Sequence, residues 1–522
     1  AKGEAETARD AAQSSERRPR KLLDLVIGAF RSSDPSEGAG YDMPASFVLR
    51  RAFEDLDRTL ADDPVAQASL SDALGRSFLG LGDHRLAIDA ATRAVERHRA
   101  LSGEAARATL DAELLLFWAR YRGGPNRELL EFVTELSGRC AAALGADDRL
   151  TLAADQATAV ALDAAGKDDA AYERLDRTYR RQLSLFGADD PHTLATTNNL
   201  AGAERGRGNH VRGLELYRSV LDVRMRIAGE EHPETMISAN NLALALADAG
   251  ETSEAIEAFR ANLERRRRVL GPDHPDTLLS EHHLAQTLRG TGETTESQGL
   301  WDHAIAAGTE RLGPDHPVVL VASTGIAIAD LQAGRFDAAA ERFESIADAY
   351  RQRLGDSHPS VLTIEQNQSI ALMRLGEFDR AAALVDHVLE VRRRLWGDAD
   401  RATLTAVNNL GAVMLAAGQL QGAEERFATA LAGRRELLGD RDPETIGAAN
   451  NLAGTRMRLG NPLGAIEPFR LLCDATASDP PTAEYLQHRR NFALALIESV
   501  KRELESGSVV ADSPARAAEG VA

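Results

Sequence analysis

The sequence predicts an all-α fold, an α-α superhelical solenoid of repeated helical hairpins, and three observations carry the prediction. Glycine recurs at every 42nd position from Gly82 to Gly460. A second ladder of the same spacing runs from Gly103 to Gly439, so two fixed breaks punctuate each unit, and a period of this size marks a repeat architecture. Aromatic residues make up only 5% of the chain while hydrophobic residues reach 43%, much of it Ala and Leu, which suits closely packed helices better than sheets. A solenoid grows by stacking neighbours, so length does not count domains here.

The elements follow in chain order. Residues 1–20 are charged and read as a flexible N-terminus. Residues 21–61 supply N-terminal capping helices, since Leu22 to Phe30 and Met43 to Leu60 are both amphipathic. Residues 62–475 form the solenoid of about ten 42-residue repeats. In the unit that begins at Glu230, His232-Pro233 opens the first helix, because Pro at the first helical position has a fixed φ and no N–H to satisfy, and Glu234 favours the positive end of the helix dipole. Gly250 ends that helix. Ala255, Ile256, Phe259 and Leu263 mark an amphipathic second helix, and Gly271 supplies a left-handed residue that closes it. Residues 476–506 read as a C-terminal capping helix or hairpin, and residues 507–522 as a disordered tail.

Small and large residues alternate where the hairpins must interlock. Ala87, Ala171, Ala255, Ala339, Ala381, Ala423 and Ala465 hold one position of the second helix, and Tyr217, Phe259, Trp301, Phe343, Phe427 and Phe469 fill another four residues on. A small residue facing a large one is how neighbouring helices mesh. This pattern of Leu, small residue, Gly, Ala and aromatic resembles the tetratricopeptide repeat. The sequences Asn198-Asn199-Leu200-Ala201, Asn240-Asn241-Leu242-Ala243, Asn408-Asn409-Leu410-Gly411 and Asn450-Asn451-Leu452-Ala453 resemble its kinesin light chain subtype. So do Leu270-Gly271-Pro272-Asp273-His274-Pro275 and Leu312-Gly313-Pro314-Asp315-His316-Pro317. The repeats around Gly124 and Gly166 keep the glycines but lose the Asn pair. Leu22-Leu23-Asp24-Leu25, Ser33-Asp34-Pro35-Ser36, Val48-Leu49-Arg50-Arg51-Ala52 and Leu70 to Gly82 resemble the start of the tetratricopeptide region of large bacterial Ser/Thr protein kinases, where a kinase domain and a membrane helix usually come first.

The formal charge of -19 argues against a nucleic-acid partner, because no net positive field recruits phosphates. Arg outnumbers Lys by 57 to 4, which points to a GC-rich bacterial genome. Cys140 and Cys473 lie nearly eight repeats apart and read as small buried hydrophobes. No apolar run is long enough to span a bilayer, and Ala1 to Arg20 lacks the apolar centre of a signal peptide. The chain begins with Ala, consistent with a piece of something longer. No kinase, P-loop, Gly-x-Ser-x-Gly or His-Glu-x-x-His motif occurs, so no catalysis and no cofactor are expected.

The repeating His232, His274, His316 and His358 are not a metal set. Asp190 and Asp442 take the same place before Pro, which indicates a helix-capping role, and neighbouring repeats stand about 10 Å apart, too far to share one ion. The arginine runs Arg265 to Arg268, Arg392 to Arg394 and Arg434-Arg435 fall late in second helices, where positive charge suits the dipole and pairs with the many acids.

The best candidates for binding are the Asn positions of the first helices, which in this repeat class line the concave surface. Asn carries both donor and acceptor, so Asn198, Asn240, Asn408 and Asn450 suit the main chain of an extended peptide; a structural role, tying neighbouring helices together, competes with that reading. In the middle repeats these positions become His282, Thr324 and Gln366, making the groove chemically uneven. Arg205 and Arg289, seven residues after the first Asn position, add positive charge to its wall. The expected function is a non-catalytic scaffold that binds a protein or peptide segment in the concave groove, in the cytoplasm. The rivals are a sensory or docking region of a membrane Ser/Thr kinase, extracytoplasmic in that case, and a self-assembly module.

Overall fold

The computed structural model describes residues 45–477 and 482–505. Among these residues every regular element is a helix. They belong to two compact units, Ala1–Gly250 and Glu251–Ala522. The first runs from the helix Ala45–Thr59 to Pro233–Asp248, the second from Thr252–Leu270 to Ala483–Glu505. Within each unit every helix packs on the one before and the one after it, and the short connections make neighbours antiparallel. The expected helix over Leu22 to Phe30, the segment 1–20 and the tail 507–522 lie outside the described residues. Met43 to Leu60 corresponds to the observed Ala45–Thr59, and the C-terminal cap is one helix, Ala483–Glu505.

The repeated sequence signals map onto repeated geometry. Each of the seven small positions from Ala87 to Ala465 is fully buried, and Phe259, Phe343 and Phe427 have no exposed surface. Burying one such side chain contributes about 1.5–3 kcal/mol, and a continuous apolar core runs from Leu320 to Leu496 in the second unit. First helices start as expected: the Nδ1 atoms of His232, His274, His316 and His358 accept from the amides of Glu234, Asp276, Val318 and Ser360 at 3.1–3.4 Å, and Asp190 and Asp442 do the same with carboxylate oxygens. Cys140 and Cys473 are buried free thiols.

The two glycine ladders differ in backbone. Gly292, after a first helix, has φ 90° and ψ 4°, the left-handed residue that lets its amide reach the Arg289 carbonyl. Gly271, after a second helix, has φ 94° but ψ 159°. It is therefore not the left-handed helical residue expected there; it is extended at positive φ, a conformation essentially restricted to glycine. That turns the chain straight into the next repeat, which is why the second ladder never varies.

Candidate functional site

The Asn positions first connect helix to helix. In the first unit, Asn241 Nδ2 donates to Asn198 Oδ1 at 2.9 Å. In the second, Asn451 Nδ2 donates to Asn408 Oδ1 at 3.2 Å. Each bond runs from the second Asn of one repeat to the first Asn of the repeat before it, stapling successive first helices together. Asn198 and Asn408 are half-buried, Asn240 is buried, and Asn450 is exposed. Part of the hydrogen-bonding capacity of the pair is thus spent inside the protein.

Between these staples the ladder is interrupted. Gly325 stands where Asn199, Asn241, Asn367, Asn409 and Asn451 stand in their repeats, and a Cβ there would lie 2.7 Å from the Trp301 ring. Trp301, 2% exposed, fills the space that a side chain at 325 would need. Its Nε1 donates to His282 Nδ1 at 3.2 Å. An indole N–H can only donate, so His282 accepts at Nδ1 and carries its proton on Nε2. Burial, with His283 adding to it, pushes the His282 pKa down to about 3, which keeps the ring neutral at any physiological pH. Thr324 turns its hydroxyl back to the Leu320 carbonyl at 2.7 Å, and Gln366 accepts from Arg392 at 3.4 Å.

The interruption leaves a cavity of about 530 Å³ within the second unit, inside the range of small-ligand sites. Three first helices, Pro275–Thr291, Pro317–Gln332 and Pro359–Leu375, supply most of its wall. His282, Gln286, Arg289 and Gln332 bring polar groups; Trp301, Ile328, Tyr350 and Ile364 bring apolar surface. Of the expected groove residues, His282 and Arg289 therefore meet in one place, and Gln366 lies outside this lining.

Arg205 and Arg289 occupy the same repeat position and have different fates. Arg205 pairs with Asp248 at 2.9 Å. Two periods later Gln332 replaces that aspartate. Arg289 donates to the Ala329 carbonyl at 2.9 Å and to Gln332 Oε1 at 3.4 Å, and among the described residues it has no carboxylate partner. One acid-to-amide change leaves a half-buried guanidinium charge uncompensated on the cavity wall.

A second cavity, about 990 Å³, lies in the first unit where Leu114-Leu115 replaces the Asn pair; Trp118, Leu114 and Leu150 line it with Arg76, Arg107 and Arg149. Its charges are mostly met internally. Arg76 pairs with Asp111 at 2.7 Å, Arg149 with Asp190 at 2.8 Å, and Arg107 with Asp148.

Sequence reasoning gave Trp301 a packing role alone, and missed Tyr350 and Gln332. A signal for Trp301 was legible as an absence: Gly325, against its ring, breaks the position that Asn367, Asn409 and Asn451 keep in the following repeats. Outside the groove, Asp356, Glu365 and His387 form a cluster of metal-ligand types. The two carboxylates contact opposite nitrogens of the imidazole and share Arg351, so the ring and the guanidinium already stand where a cation would.

The tetratricopeptide repeat family profile matches residues 192–261, 235–298, 279–352 and 402–476. Among curated proteins no sequence matches. Among solved structures the fold is similar to BtubC (BKLC) from P. vanneervenii, with 22% identity over 44% of this chain and 94% of that one and a TM-score of 0.39. It is similar also to a putative kinesin light chain with nearly identical repeats from Podosopora anserina, at 20% identity over 47% of this chain and 96% of that one, TM-score 0.25. The apo quorum sensor NprR from B. thuringiensis matches at 13% identity over 73% of this chain and 99% of that one, TM-score 0.43.

Proposed function

From the premise that this chain carries tetratricopeptide repeats in an all-α solenoid, we propose that it is a non-catalytic interaction scaffold whose first-helix surface binds an extended protein segment. The anchor is the cavity at His282, Arg289 and Trp301. The observation that carries this reading is the uncompensated Arg289 beside a neutral His282 N–H and an apolar wall. A charge left without its partner in a concave, partly desolvated site favours an anionic group from outside. The segment therefore presents a carboxylate to Arg289 and an apolar side chain to Ile328 and Ile364. Asn408 and Asn450 of the same unit contribute donor and acceptor contacts to its main chain, and Asn198 offers the same groups on the first unit's own surface.

Peptide arrays probed with wild type, Arg289→Gln and the Asn198, Asn240, Asn408 and Asn450 to Ala variant test the proposal. Wild type selects peptides carrying Asp, Glu or a free C-terminus. Arg289→Gln, with helicity and melting unchanged, loses that selection and binds about tenfold more weakly, the scale of one charge-assisted hydrogen bond. An unchanged peptide profile in both variants refutes the groove as the binding surface.

A further inference from the structure

Four charged groups close a ring around one end of the contact between the helix Pro359–Leu375 and its neighbours. Arg351, on the helix Phe336–Leu354, donates to Glu365 at 2.8 Å and to Asp356 at 2.9 Å. His387, on Phe378–Trp396, meets the same two carboxylates from the other side, Nδ1 at 2.8 Å from Glu365 Oε2 and Nε2 at 3.0 Å from Asp356 Oδ2. An imidazole satisfies two carboxylates on its two nitrogens only when both carry a proton. The neutral ring keeps one N–H for one acid and turns a lone pair on the other, which is left facing Arg351 alone. Glu365 is 1% exposed, so the mismatch is felt in a poorly hydrated place.

The same design occurs two periods earlier without that requirement. Glu281, fully buried, accepts from Arg267 at 2.7 Å and pairs with His303 Nδ1 at 2.8 Å. Pro272 stands where Asp356 stands in the later repeat. His303 thus has one carboxylate to satisfy, and its neutral form can do so. In the first unit Glu113 joins Arg99 and Arg139, both permanently charged.

We propose that His387 is a proton-operated clamp on the helix Pro359–Leu375, holding it when the imidazole is doubly protonated and loosening it when the proton leaves. That helix contributes Pro359, Ser360, Thr363 and Ile364 to the cavity wall, so the clamp couples proton concentration to the shape of the groove. This consequence rests on the groove reading above; the clamp itself does not. The groups facing His387 are Glu365 and Asp356, with Arg351 and, through it, Asp348 behind them. No other charged side chain of the described residues reaches the ring. Burial alone lowers the His387 pKa, but the hydrogen bonds and charges of Glu365 and Asp356 outweigh it and raise the net value above the ordinary histidine range. The clamp's contribution is therefore complete below the unfolded-state pKa of about 6.5 and is lost as pH rises through the raised value.

The readout must be local. His282 and His283, whose pKa values burial pushes down to about 3 and about 4, work in the opposite direction and mix into any global melt. Amide exchange of the Pro359–Leu375 segment, corrected for intrinsic rates, is followed from about pH 5.5 to about pH 8 in the full chain without ligand. Wild type loses about fivefold protection across that range, the worth of one partly exposed ion pair. His387→Gln is flat and low. Asp356→Asn, whose amide can donate to an unprotonated Nε2, is flat and high, and His303→Gln leaves the 359–375 response intact. A wild-type profile without a pH dependence, or one that His387→Gln reproduces, overturns the clamp. A response in exchange with pH-independent peptide binding keeps the clamp and removes its link to the groove.

Discussion

Two stretches of first helices share one backbone and differ in how they are held together. At Asn408 and Asn451 the side-chain amides bond across successive repeats, closing the surface between them. Around residue 325 the same position has no side chain, an indole occupies the space, and a cavity opens. The comparison teaches that the Asn pair acts as a seam between successive first helices, and that a cavity opens where the pair is interrupted. Holding it open depends on Trp301. Trp301→Ala is expected to have the largest effect on the difference, costing about 3–5 kcal/mol for a buried aromatic truncated in place and leaving His282 without its donor. Chemical unfolding followed by circular dichroism reads this as an early loss of part of the helix signal, since the repeats of an array need not unfold together.

Closing the seam by force is the next largest change. Gly325→Asn restores the repeat residue, yet its Cβ falls 2.7 Å from the Trp301 ring, and overpacking of that kind costs about 1–3 kcal/mol. Adding Trp301→Phe should recover most of the loss, because the next repeat combines Phe343 with Asn367 at these two positions. The double variant melts near wild type and lacks the cavity, so it loses the peptide binding assigned to that site. Recovery of stability together with full binding contradicts the assignment.

How much of this was legible beforehand differs by level. The hairpins, their boundaries and their buried Ala and Phe positions follow from the 42-residue period, because each repeat solves the same packing problem with the same residues. The Asn pair was legible as a pattern and ambiguous in role: donor-acceptor side chains on one helix face serve a neighbour or a ligand equally well, and only the distance from Asn451 to Asn408 separates the two. Gly271 was read as a left-handed cap because spacing reports that a residue must be glycine without reporting ψ. The ring of Arg351, Glu365, His387 and Asp356 was hidden further. Its members come from three helices and a turn, and the sequence shows them only as an arginine near the end of one second helix, a histidine midway along the next, an acid in a turn and an acid in a polar stretch of a first helix.

A smaller prediction tests the stapled stretch. Asn451→Ala removes the donor to Asn408 and should cost about 1 kcal/mol, the net worth of one partly buried hydrogen bond, measured as a lower unfolding midpoint with unchanged helicity. If the amide bond is a seam, exchange protection falls in both flanking first helices, Arg401–Ala416 and Pro443–Arg458. A loss confined to the helix that carries residue 451 would reduce the bond to a surface contact.

The smallest change in stability carries the sharpest functional consequence. Gln332→Asp rebuilds in the second unit the pair that Arg205 makes with Asp248 in the first. Both groups stay partly hydrated, so the new ion pair adds less than about 1 kcal/mol, and the melt barely moves. The charge that Arg289 offered to the cavity is then spent inside the protein, as it already is at Arg205. Selection for carboxylate-bearing peptides should disappear as fully as in Arg289→Gln, although the arginine is still present. Retention of that selection with the internal pair formed would mean that shape and apolar contact, rather than the free guanidinium, decide what the cavity takes.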